Sequence, residues 1–271
     1  METESSAIEP SEELEPAQGH SGRFPPVPPP QAPSRTLGEE LVIVLALSLL
    51  ASAINALISF TAAPVNRSVS VAVVPQSPRL IVQLAGIALA LPPVWLVFYL
   101  LRRNHERPAT IGMAFDRPRF DISLATILAL LVGVAGIVIY IASVRIGHNR
   151  LVIPVPPLGQ WWTIPVLLLS AAQNALLEET VVLGYMVTRL QQIGTPALGA
   201  IGASALLRGT YHLYQGWGGF TGNLTMGLLF GVIFLRWRRT WPMVIAHFLL
   251  DAGAGILYIA FRNQLPGLLA G

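Results

Sequence analysis

The chain has 271 residues, 53% of them hydrophobic and only 11% charged, with a formal net charge of +3. A soluble domain carries roughly twice that charged fraction, so composition excludes an ordinary water-soluble enzyme and indicates a polytopic α-helical membrane protein. Cysteine and lysine are both absent. That excludes disulfides, thiolate zinc sites and cysteine nucleophiles, and no aromatic-interleaved basic patch exists to bind nucleic acid.

Residues 1–38 read as a disordered tail. Glu2, Glu4, Glu9, Glu12, Glu13 and Glu15 precede the run Phe24-Pro-Pro-Val-Pro-Pro-Pro30. Clustered like charge with little apolar surface cannot offset the entropy of ordering. The basic stretch of a cleaved signal peptide is missing, so the first apolar segment is expected to remain as an anchor. Residues 39–271 then form a transmembrane helical bundle. Its apolar segments, at about 41–63, 79–101, 122–144, 161–190, 196–213, 222–236 and 241–261, suggest about seven spans of roughly 20 residues each. The fourth exceeds one span and should tilt, protrude or break. Pro92-Pro93 should kink the second. Thr240 before Trp241-Pro242 reads as the start of the last helix. With seven alternating spans, Arg102, Arg103, Arg107, Arg117, Arg119, Arg189, Arg236, Arg238 and Arg239 share one side, which the positive-inside rule makes cytoplasmic. The N-terminus falls on that side and Gly271 on the other.

After Asp121 the only acidic residues are Glu178, Glu179 and Asp251, all within apolar segments, and His212 and His247 fall in the same stretch. Each ionisable group at mid-bilayer costs roughly 2.5–3.5 kcal/mol. The helical rise of about 1.5 Å per residue puts Glu178, His212, His247 and Asp251 in the middle of a core about 30 Å thick. His247 and Asp251 are four apart and share a helix face, as do Arg208 and His212. Glu178 and Glu179 point about 100° apart, so different roles are expected. A lone membrane histidine is as often a helix–helix hydrogen-bond partner as a functional group. Asp251 can simply hold His247, and Glu179 can simply pair with Arg208. Five such groups without a surplus of basic partners nonetheless favour a functional site. His105-Glu106 continues as Arg-Pro-Ala, so there is no HExxH zinc helix, and Gly202-Ala-Ser-Ala205 lacks the last glycine of a nucleophile turn. Carboxylates and imidazoles are the available chemistry, able to hold a water and deprotonate it as it attacks a carbonyl. The glycine-rich run from Gln215 to Gly222 is either a gate to that site or a tight helix connection.

Three short motifs occur in order: Glu178-Glu179-Thr-Val-Val-Leu183-Gly184-Tyr185, Arg208-Gly-Thr-Tyr-His212 and His247-Phe-Leu-Leu-Asp251. Over about residues 160–255 they resemble the CPBP family, the CAAX-processing and bacteriocin-immunity intramembrane proteases, whose motifs run Glu-Glu-x-x-x-Arg, Phe-x-x-x-His and His-x-x-x-Asn/Asp. The resemblance implies an endopeptidase acting on a membrane-associated peptide or protein, in the plasma membrane of a bacterium. Glu178 and His212 would activate water, Glu179 would orient the site, and His247 with Asp251 would stabilise the oxyanion or complete the site. The family is described both as metalloproteases and as metal-free glutamate proteases. Two carboxylates and two imidazoles can hold a divalent metal such as zinc, so the cofactor stays open between a metal and none. Prenylated C-terminal tails are one substrate class the resemblance offers. Leu183 stands where the motif has Arg, and Arg208 where it has Phe. Arg208 is expected to supply the missing guanidinium by pairing with Glu179 or Asp251. The competing functions are a proton-coupled transporter, since buried Glu, His and Asp also build proton relays, and a catalytically silent immunity or scaffold protein.

Overall fold

The computed structural model describes residues 24–62, 68–70 and 76–264. Residues 1–23 of the expected tail and Gly271 lie outside them. The first apolar segment forms two helices, α1 (Ser34–Ala46) and α2 (Leu49–Ala62), bent by 49°. Between them the Ser48 hydroxyl donates to the Val44 carbonyl at 2.6 Å, a back-bond that bends helices. The second segment breaks at the expected prolines into α3 (Leu80–Leu89) and α4 (Pro92–Arg103), with proline in the first turn of α4 where no backbone donor is lost. Next come α5 (Pro118–Arg145) and then a 30-residue span of three parts: α6 (Thr163–Glu178), a π-helical segment (Glu179–Tyr185) and α7 (Met186–Gln192). The break expected in this long segment is thus a widened turn, a feature common at functional sites. It starts within the glutamate pair.

The chain continues through α8 (Ala197–Tyr211), α9 (Trp217–Trp237) and α10 (Trp241–Phe261). Pro242 lies in the first turn of α10. Thr240 stands at its N-cap, but its hydroxyl goes to the Ile111 carbonyl instead of capping the helix. Two-residue strands β1 (Val69–Ser70) and β2 (Val152–Ile153) pair in parallel. Among the described residues five helical stretches are long and apolar enough to cross a membrane, or six if the bent α1–α2 pair is one span. All seven expected segments are helical, but α8 has 15 residues and covers only about 22 Å, short of the hydrocarbon core.

The α6–α7 span sits at the centre, with 78% of its apolar window buried against 11% for α5. It packs against α10, and α10 packs on α5. Small residues let α8 and α9 approach closely: a Cβ on Gly227 would meet the Ala205 backbone at 2.9 Å, the close packing by which membrane helices associate. One apolar cluster joins Val97, Leu101, Ile111, Val181 and Tyr185. A second joins Leu183, Val187, Phe230, Phe234, Met243 and Ala246.

Several arginine-bearing loops gather at one end of the bundle. Arg189 of α7 forms a buried bidentate pair with Glu106 from the α4–α5 loop. Arg239, in the α9–α10 turn, grips Asp121 and Asp116. Residues 24–33, assigned above to the tail, lie against this end. Gln192 donates to the Pro28 carbonyl at 3.1 Å and Arg238 to that of Pro25 at 3.2 Å. These two side chains satisfy carbonyls that proline-rich backbone cannot pair internally.

Candidate active site

Glu178 is the last residue of α6 and Glu179 the first of the π-helical segment. Both are buried, and both converge on Arg208 from α8. The Arg208 Nη2 donates to Glu179 Oε1, while Nη1 stands 3.5 Å from Glu178 Oε2, an electrostatic contact beyond good hydrogen-bond range. The two glutamates nevertheless take different further partners. Glu178 Oε2 accepts the Tyr211 hydroxyl at 2.6 Å. Glu179 Oε1 lies 2.8 Å from His247 Nδ1.

On α10, His247 and Asp251 stack one turn apart, with His247 Nε2 3.5 Å from Asp251 Oδ2. Both imidazole nitrogens of His247 thus face carboxylate oxygens. Asp251 also accepts from the Asn174 amide at 2.9 Å. His247 is buried, whereas the Asp251 side chain is 35% exposed, which makes Asp251 the open edge of the cluster. His212, at the C-terminal end of α8, is half-buried. Its Nδ1 lies 3.0 Å from the Arg208 carbonyl. A carbonyl can only accept, so Nδ1 carries the proton of this contact, and in the neutral ring the lone pair lies on Nε2.

Of the six residues expected from the sequence, Glu178, Glu179, Arg208, His247 and Asp251 form one chain of polar contacts. His212 joins it through the backbone of Arg208. Arg208 pairs with Glu179, one of its two expected partners, and Leu183 lies in an apolar cluster. Sequence reasoning missed two members, Asn174 and Tyr211. Asn174 stands one turn before Glu178, and Tyr211 adjoins His212; each is a polar group inside an apolar segment, which was the signal available. The glycine-rich run begins in the expected tight helix connection, with Gln215 and Gly216 between α8 and α9. Its residues from Trp217 onward are the first turns of α9, whose Gly219 N–H is taken by Asn149 Oδ1 at 2.7 Å.

The donor atoms of Glu178, Glu179 and His247 all lie within 4.8 Å of one another, close enough to share a cation. A guanidinium already contacts both carboxylates, and His247 is hydrogen-bonded to one of them. Glu179 Oε2 has no partner among the described residues, so a metal would be held by the remaining carboxylate oxygens and an imidazole nitrogen, beside Arg208 and not in its place. The cluster is also suited to proton transfer and to holding a polarised water. Several buried atoms in it have no partner among the described residues, including Glu179 Oε2 and Asn174 Oδ1. Unmet polar groups of this kind inside a membrane protein indicate a site that receives water or substrate.

A family model described as type II CAAX prenyl endopeptidase Rce1-like matches residues 160–253. The matched segment runs from just before α6 into α10 and contains every residue of the cluster. It supports the CAAX-processing family resemblance carried by the three motifs, for an integral membrane protein of helical fold. No curated protein and no solved structure matches the chain.

Proposed function

We propose that this chain, as a CAAX-processing protein through residues 160–253, is an intramembrane endopeptidase that cleaves a membrane-associated protein near a prenylated C-terminal tail. The observation that carries the reading is the buried contact chain Tyr211–Glu178–Arg208–Glu179–His247–Asp251, drawn from three helices. Glu178 holds the attacking water. His212 Nε2 takes its proton, with the tautomer fixed through Nδ1 and the Arg208 carbonyl. Arg208 supplies the positive charge that keeps two adjacent carboxylates together in low dielectric. Glu179 accepts from Arg208 and His247 and orients both. The N-terminal side of the bundle, where the arginine-rich loops gather, faces the cytoplasm.

Purified protein in liposomes, given a farnesylated peptide ending in Cys-aliphatic-aliphatic-any, should release the terminal tripeptide. Glu178→Gln and His212→Ala should each lose cleavage while keeping the wild-type thermal midpoint. Comparing the membrane proteomes of wild-type and Glu178→Gln cells identifies the physiological target. A Glu178→Gln protein that still cleaves, or that supports an unaltered cellular phenotype, would defeat the enzymatic reading and favour a partner-binding role.

A further inference from the structure

A tetrahedral oxyanion needs hydrogen-bond donors, and most donors in this cluster are committed. The Tyr211 hydroxyl goes to Glu178, Arg208 Nη2 to Glu179, and the His247 nitrogens face Glu179 and Asp251. Arg208 Nη1 faces Glu178 Oε2, so an anion on it would lie against the carboxylate it pairs with. Asp251, when ionised, only accepts. The motif position His-x-x-x-Asp therefore supplies no amide donor of its own in this chain.

Asn174 supplies one. Its Nδ2 donates to Asp251 Oδ2 at 2.9 Å. Flipping the amide would set Oδ1 against a carboxylate oxygen, so the assignment of N and O is chemically fixed. An amide nitrogen has two protons and Asp251 takes one. The side chain is buried, and its Oδ1 has no partner among the described residues. It also borders the open edge of the cluster at Asp251. On α6, Asn174 and Glu178 are four residues apart, with Cβ atoms about 5–6 Å from each other on one face.

We propose that Asn174 donates its second N–H to the oxyanion of the scissile carbonyl, and that Asp251 is the positioning residue that aims it. The inference rests on the hydrolytic reading above. As the Glu178-held water adds to the carbonyl carbon, its proton passes to His212 and the carbonyl π electrons move onto the oxygen. Asn174 stabilises that negative charge until the carbon–nitrogen bond breaks and the leaving amine takes up the proton.

The test uses the full-length protein and the farnesylated peptide. Asn174→Asp removes the donor at constant size and should lower kcat by about 10²–10³-fold with little change in KM. Asn174→Leu adds no charge beside Asp251 and should show the same loss, keeping the test valid if the aspartate variant folds poorly. The exchange Asn174→Asp with Asp251→Asn returns an amide beside a carboxylate and should recover at least about tenfold over Asn174→Asp alone. A purely structural Asn174 would change the thermal midpoint instead of splitting kcat from KM. Near wild-type kcat in both single variants, with Glu178→Gln inactive, would overturn this assignment alone, as would an inert exchange variant of normal stability. Cleavage persisting in Glu178→Gln would instead sink the hydrolytic reading beneath it.

Discussion

Two arginines each bind two carboxylates in this molecule, and they are built for different purposes. Arg239, at the end of the bundle, engages every guanidinium nitrogen: Nε and Nη2 clasp Asp121, Nη1 reaches Asp116 at 2.7 Å, and Nη2 also bonds the Ala114 carbonyl at 3.1 Å. Arg208, in the interior, leaves Nη1 without a hydrogen bond, and Glu179 Oε2 beside it is also unmet. A guanidinium held at every nitrogen ties the loops it touches together. One with spare valences inside the membrane holds charge in place for something that arrives later.

Breaking the interior cluster should have the largest effect. Arg208→Leu leaves two neighbouring buried carboxylates uncompensated, at a cost of about 3–5 kcal/mol, and cleavage of the farnesylated peptide should vanish. Adding Leu183→Arg restores a guanidinium one turn from Glu179. Partial recovery is expected, well below wild type, since position 183 starts from an apolar cluster. Next in size, Tyr211→Phe removes one buried hydrogen bond to the Glu178 carboxyl group, worth about 1–3 kcal/mol. It should lower kcat by about 10–100-fold in the same assay and lower the thermal midpoint by several degrees, because a buried acceptor loses its partner. Arg239→Leu separates the two effects: the thermal midpoint should fall while kcat per folded molecule holds. A smaller effect sharpens the same distinction. Hydrogen bonding to Arg239 holds the Asp116 carboxyl below its usual range, while the Asp116 side chain is 60% exposed. Its contribution is therefore present above about pH 4 and fades as pH falls through the lowered value. The wild type should lose slightly more thermal stability than Asp116→Asn on acidification. Finally, the proposed water activation runs on Glu178 and His212 with Arg208 as the positive charge, so dialysis against a strong chelator should leave activity unchanged in the peptide assay.

How much of this was legible depends on the range of each interaction. Helices at the apolar segments, the break at Pro92-Pro93 and the pairing of His247 with Asp251 follow from local rules of composition and of residues four apart. The cost of placing Glu178, Glu179 and Asp251 among apolar neighbours marked the region of the cluster. Asp121 and Arg239 lie 118 residues apart, and nothing local to either announces the other. Asn174 and Tyr211 escaped notice for the same reason, since a neutral polar side chain in a membrane helix is cheap enough to need no special explanation. The shortness of α8 and the widened turn at Glu179 were also hidden, because periodicity reports an apolar face and not where a helix stops or loosens.

By itself the sequence determined that this chain lives in lipid, that its interior must house a few costly charges, and which residues those are. The tertiary structure decided who meets whom: one guanidinium between two glutamates, one imidazole between two carboxylates, and an amide left with a proton to give. Burial energy depends on composition and can be summed along a chain, whereas hydrogen bonds depend on direction and distance between helices far apart in sequence, and only packing supplies those.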